Sequence, residues 1–270
     1  MKIRTITSLS AAIIAVGLLS LSSTATATVV DLTTGLDAHG EINGALFYAT
    51  DQHPAGTGFI DPFLRVQAHG NNTFEQGYNT DGGFPFDDKH PHNFQHSLLL
   101  SSLSQFDING TAYFKFMLDA NQSGHTGHQF SLDRLQLYTS NSGSLTTEAF
   151  STNANGVRVL DLGHLAYTLN MNDGTSGDYV ITTAVGSGHF DAIMYVPVAN
   201  FNQNDRYVYF YFGSGDHIAT SGGFEEWNAA TGAVPIPEAG ALFPIVGLLA
   251  AIFSTQFLRR RQLARVNKTK

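Results

Sequence analysis

From residue 28 to residue 234 the apolar residues come in short runs, and most runs stop at Asn, Asp, Gly or Ser. That punctuation constrains the fold more than any other feature of the chain. Residues 112–118 place Phe114, Phe116 and Leu118 on one face of an extended strand and Tyr113, Lys115 and Met117 on the other. Residues 135–139 alternate cleanly, and residues 157–162 less strictly. Residues 192–196 and 206–212 are more continuously apolar, the pattern of central strands buried on both faces. Residues 45–50, 63–68, 97–100, 165–169 and 179–185 are further candidates. Between them, residues 79–83, 153–156, 172–177 and 213–215 supply the Asn, Asp and Gly that tolerate positive φ in hairpins and bulges. No segment keeps a helical period for three turns. About ten strands and no substantial helix predict an all-β fold: one antiparallel β-sandwich, jelly-roll-like, over residues 28–233.

Charge narrows the partners. Residues 28–234 hold 6 Lys/Arg against 21 Asp/Glu, about −15 in formal charge, compared with −8 for the whole chain. Such a surface repels nucleic acid and anionic lipid, and suits divalent cations or basic partners. With no cysteine in the sequence, disulfides, thiol catalysis and thiolate metal sites are all excluded.

The two ends read as addresses. Lys2 and Arg4 precede an apolar run from Ala11 to Leu21, and Ala25-Thr26-Ala27 supplies the small residues of a signal-peptidase site, with cleavage expected after Ala27. At the other end, Val234-Pro235-Ile236-Pro237-Glu238-Ala239-Gly240 leads into an apolar stretch over residues 241–258. As a helix that stretch is about 27 Å long, enough to cross a hydrocarbon core. Arg259, Arg260 and Arg261 follow and hold the C-terminus on the cytoplasmic side. This tripartite tail, over about the last 35 residues, resembles the PEP-CTERM sorting signals of Gram-negative bacteria. It departs from the usual Pro-Glu-Pro by ending in Ala239. The resemblance implies an exosortase-like partner, a transient inner-membrane stage and delivery to the cell surface or matrix. Residues 58–67, 75–81, 131–138 and 222–227 are likewise similar to segments of exported PEP-CTERM proteins that have no assigned activity, which implies no catalytic residues.

Several constellations carry candidate chemistry. His90, His92 and His96, with Asp87 and Asp88 just before them, are suitable zinc, nickel or copper ligands, and equally ordinary as solvated loop residues. Asp81 with its two glycines, and Asp87-Asp88, offer oxygen to calcium, although turn chemistry accounts for the same residues. Glu225 and Glu226 are adjacent, so in a strand they point to opposite faces and do not flank one bond. Tyr207, Tyr209 and Tyr211 form one face of a strand, and with Trp227 they are the candidate glycan platform, or else parts of a sheet core.

The expectation is therefore an exported, non-enzymatic surface protein, with a polysaccharide-binding module, calcium-dependent or not, as the alternative. A hydrolase whose carboxylates meet only in space is a third reading.

Overall fold

A computed structural model describes residues 27–52, 62–88, 94–122, 129–169, 177–184, 186 and 188–232. Ala25, His90, His92 and the whole tail from Pro235 through Arg261 lie outside the described residues, as does the expected span 241–258. No helix among the described residues is long and apolar enough to cross a membrane.

Seventeen strands follow one another among the described residues. The first eight are β1 Val29–Asp31, β2 His39–Ile42, β3 Ala45–Ala49, β4 Leu64–Val66, β5 Glu75–Tyr78, β6 Leu98–Leu99, β7 Gln105–Ile108 and β8 Thr111–Ala120. Then come β9 Gln129–Leu132, β10 Arg134–Ser140, β11 Phe150–Thr152, β12 Arg158–Leu160 and β13 His164–Thr168. The last four are β14 Tyr179–Thr183, β15 Ala192–Pro197, β16 Tyr207–Ser214 and β17 Glu225–Ala229. The count exceeds the expected ten because strands such as β1, β2, β7 and β11 are only three or four residues long, too short for a period to be read locally. For β2 and β7 the available local signal is the Asn-Gly pair that follows each. Asn43-Gly44 (φ 51° and 82°) and Asn109-Gly110 (φ 55° and 84°) make the two-residue turns into β3 and β8.

Two sheets make the sandwich. One has seven strands in the order β2-β3-β15-β8-β17-β4, with β7 also paired to β8. The other has five, in the order β13-β10-β16-β5, with β6 paired to β16. Their inner faces meet through aromatic rings: Phe210 of β16 lies 5.2 Å from Phe116 of β8 and 5.7 Å from Phe63, centroid to centroid. The expected parity of β8 holds, since Phe114, Phe116 and Leu118 are all buried in this core. A smaller sheet, β1-β14-β9, flanks them. There β1 and β14 run parallel, an exception to the all-antiparallel expectation.

The five-stranded sheet is covered on both faces. Val208, Phe210 and Phe212 enter the main core, while Tyr209 and Tyr211 enter a second cluster with Tyr78, Tyr138, Leu160 and Leu162. Residues 141–149 and the β11–β12 hairpin lie over that second face. Residues 141–149 belong to no sheet and β11 and β12 pair only with each other, so tyrosine hydroxyls take the place of a further strand. Tyr209 accepts from Leu145 N–H (2.9 Å) and donates to Ser142 C=O (2.8 Å); Tyr138 accepts from Leu160 N–H (2.9 Å). Tyr78 is paired both ways with Thr147. Strand β10, which alternates in sequence like a half-exposed strand, is therefore buried on both sides. Asn79, expected in a loop, is fully buried: its side chain donates to Val208 C=O (2.9 Å) and accepts from Phe210 N–H (2.6 Å), extending the β5–β16 ladder by one position.

Candidate functional site

The outer face of the seven-stranded sheet follows from the pairing register. Because paired residues share a face, Phe47, Met194, Phe116 and Trp227 point inward. The other parity then sends Tyr48, Ile193, Tyr195, Tyr113, Lys115 and Met117 outward. Near β2, β3, β15, β8 and β7 this outer face carries a row of rings. His39 stacks on Tyr48 (5.6 Å, 16°), and Tyr48 meets Tyr195 edge to face (5.8 Å, 89°). Tyr195 in turn stands edge-on to Phe106 (6.1 Å, 75°) and Tyr113 (6.4 Å, 84°). His39 is exposed and the other four rings are half-buried. Beside the row lies a groove of about 390 Å³, lined by Leu36, Tyr48, Ile108, Ile193 and Tyr195 among others, with Leu36 64% exposed at its edge.

The electrostatics of the row are set by burial. Lys115 is the register partner of Tyr195, and its ammonium lies 5.9 Å from the Phe106 ring centroid. Desolvation among these rings lowers the Lys115 pKa, and desolvation followed by the nearby Tyr48 raises that of Tyr195. The hydroxyls separate this face from the interior. Tyr78, Tyr138, Tyr167, Tyr209 and Tyr211 each spend theirs on an internal partner. Those of Tyr48, Tyr113 and Tyr195 make no hydrogen bond within the described residues. The row thus sets apolar ring surface beside hydroxyls that have no partner among the described residues, in a body that is acidic overall.

Farther along the same face, toward β4 and β17, lies an ion pair. Arg65 forms a salt bridge with Glu226, with its guanidinium 3.5 Å from the Phe94 ring centroid and 4.9 Å from that of Phe224. Asp119 sits opposite Glu226 in the register and accepts from Gly188 N–H (2.7 Å). Burial raises its pKa to about 6.

No protein-family model matches this chain, and neither does any curated protein. One solved structure found by comparison is the xyloglucanase domain of NopAA, a type three effector from Sinorhizobium fredii in complex with cellobiose. It is 12% identical and covers 73% of this chain and 97% of its own, with a TM-score of 0.18. A superposition that loose carries no argument about fold or activity.

The residues singled out in the sequence are dispersed. Trp227 is fully buried against Phe210, so it is a core residue and offers no sugar platform. Tyr209 and Tyr211 are 1% and 0% exposed beneath the β11–β12 hairpin, and only Tyr207 is half-buried. The tyrosine face of β16 is closed, and the open aromatic row lies on the other sheet. Sequence offered a hint in Tyr113, Lys115 and Met117 on one parity of β8, but Tyr48 and Tyr195 join them only through pairing.

The ligand candidates among the described residues, Asp81, Asp87, Asp88 and His96, are each engaged by neighbouring protein groups. Asp81 accepts from Ser97 N–H (2.8 Å) and Ser97 Oγ (2.6 Å), and Asp88 is buried against Gln95. Asp87 accepts from Gln76 N–H (3.1 Å) in an open groove that also holds Phe74, Phe86 and Glu148, while Nδ1 of His96 lies 2.9 Å from Ser97 C=O. No three His, Asp or Glu side chains converge as a metal site among the described residues. Glu225 and Glu226 do point to opposite faces: Glu225 inward with Gln122, Glu226 outward with Arg65. Two carboxylate–histidine pairs were not legible in the sequence, Asp133–His217 and Asp205–His164, each at 2.7 Å. Asp133 also accepts from Ser131 Oγ and the amides of Gly215 and Asp216, so it fastens the turn after β16.

Proposed function

We propose that this protein is an exported β-sandwich that binds a neutral polysaccharide on the outer face of its seven-stranded sheet. The observation that carries the reading is the row of rings His39, Tyr48, Tyr195, Tyr113 and Phe106 on one open sheet face. A pyranose presents apolar C–H patches ringed by hydroxyls, and such a row matches both parts. An acidic body disfavours anionic glycans, so the ligand is neutral. The role is binding, without turnover.

Location belongs to the same reading. Export follows from the N-terminal signal with cleavage after Ala27, and residues 241–258 hold the protein in the inner membrane. Release by an exosortase-like enzyme near Pro237-Glu238 then places the body at the cell surface or in its matrix. The Pro-Ile-Pro-Glu segment, apolar stretch and triple arginine, in that order, support this route.

The test is co-sedimentation with insoluble neutral polysaccharides and affinity electrophoresis in soluble ones, with and without calcium. Replacing Tyr48 and Tyr195 together by Ala should weaken binding at least about tenfold, the loss of one or two kcal/mol of ring stacking, with the fold intact. Failure of the unaltered protein to bind any neutral glycan removes the binding role and leaves the sorting route standing.

A further inference from the structure

We infer that Glu75 and Glu225 share one proton and together form a pH-operated latch between the two sheets of the sandwich. Glu75 lies on β5 of the five-stranded sheet and Glu225 on β17 of the seven-stranded sheet, 150 positions apart in sequence. Both are fully buried, and their carboxyls lie within hydrogen-bonding reach of one another. One oxygen of each is satisfied elsewhere: Glu75 Oε2 accepts from Ala68 N–H (2.8 Å), and Glu225 Oε1 accepts from Gln122 Nε2. The Gln122 amide is oriented by Ser221, whose N–H (2.6 Å) and hydroxyl (2.9 Å) donate to its Oε1. The remaining oxygens, Glu75 Oε1 and Glu225 Oε2, have no donor among the described residues. Two ionised carboxylates therefore leave two buried acceptors orphaned and repelling. One proton held between them satisfies both.

The surrounding charges favour retaining that proton. From the turn after β5, Asp87 acts on Glu75, and from β8, Asp119 acts on Glu225; both are acidic. Asp191 is engaged beside them by Ala120 N–H (2.8 Å). Arg65 of β4 points to the outer face and is held by Glu226, while His69 lies 4.0 Å from Asp87. Burial, the larger cause, raises Glu75 to about 7 and Glu225 well above its ordinary value. A folded-state pKa above the unfolded one makes the native state hold a proton that the unfolded chain releases. The pair's contribution is thus full below about pH 4.5, falls as pH rises through about 7, where the first proton leaves, and goes on falling until the shared proton leaves at higher pH. Once the shared proton too is gone, the end of the sandwich where β4, β5 and β17 meet loosens first.

The experiment is a melting series of the purified protein from pH 5 to pH 9 on wild type, Glu75→Gln and Glu225→Gln, each with EDTA and with millimolar calcium. Glutamine at either position donates an N–H where the shared proton sat. The wild-type melting temperature should fall by several degrees between pH 6 and pH 8. At least one glutamine variant should lose half of that fall or more, while Asp119 and the other buried acids keep the rest. Infrared absorption of a protonated carboxyl at neutral pH should be present in wild type and reduced in whichever variant folds. The proposal is overturned by a flat wild-type profile, by variants as steep as wild type, or by no change in the carboxyl band. It is also overturned if calcium restores the high-pH melting temperature of wild type, since a cation and not a proton then bridges the pair. None of these readouts involves glycan.

Discussion

Phe210 and Trp227 face each other across the sandwich, ring centroids 4.4 Å apart and tilted 44°, and they join the central strand of one sheet to an inner strand of the other. The indole N–H has no hydrogen-bond partner among the described residues, so Trp227 contributes through volume and apolar burial. Trp227→Ala should cost about 3–5 kcal/mol in denaturant unfolding. Trp227→Phe should cost less, because it keeps the ring contact and removes an unsatisfied donor. Glycan affinity of the folded fraction should be unchanged in both; a selective loss of binding at normal stability would return Trp227 to the ligand site.

Arg65 is held by charge and by packing at once, between Phe94 and Phe224 with Glu226 at its head. Arg65→Ala should destabilise the fold by about 2–3 kcal/mol, because it strands a largely buried carboxylate. Arg65→Lys should recover only part of that, since an ammonium cannot stack as the planar guanidinium does. Equal stability of the Lys variant and wild type in chemical denaturation would contradict this account.

Asp119, with its carboxyl pushed up to about 6 by burial, gives stability a downward slope of its own. The folded state retains the proton longer than the unfolded chain, so this contribution is present near pH 4 and fades as pH rises through about 6. Asp119→Asn should flatten the melting profile between pH 4 and pH 6. A profile unchanged in that window would show that Gly188 N–H and local solvent hold the carboxylate at its ordinary value.

Deleting residues 234–270 tests the route without touching the sandwich. The shortened protein should still be exported and lose its N-terminal signal, but it should neither pass through an inner-membrane-bound form nor be trimmed at its C-terminus. Fractionation and intact-mass measurement decide this, and unaltered retention and processing would refute a sorting role for the tail.

Much of the fold was legible because it is local. Whether a strand alternates, and where Asn-Gly can turn the chain, depends on neighbours a few residues away. Hence the parity of Phe114, Phe116 and Leu118 and the turn closed by Gly156 (φ 78°) came through. The charge balance is also a property of the string itself, as are the residue patterns at both ends on which the proposed sorting route rests. Alternation, however, assigns a strand two faces without saying what packs on either. Strand β16 sets three tyrosines, and strand β8 one tyrosine and a lysine, against apolar residues, and only the fold covers Tyr209 and Tyr211 with residues 141–162 while leaving Tyr113 at an open face. Tyr48, Tyr113 and Tyr195 meet through the pairing of β3, β8 and β15, and Glu75 meets Glu225 across the sandwich. Such meetings depend on long-range register and sheet packing, and no local pattern encodes them.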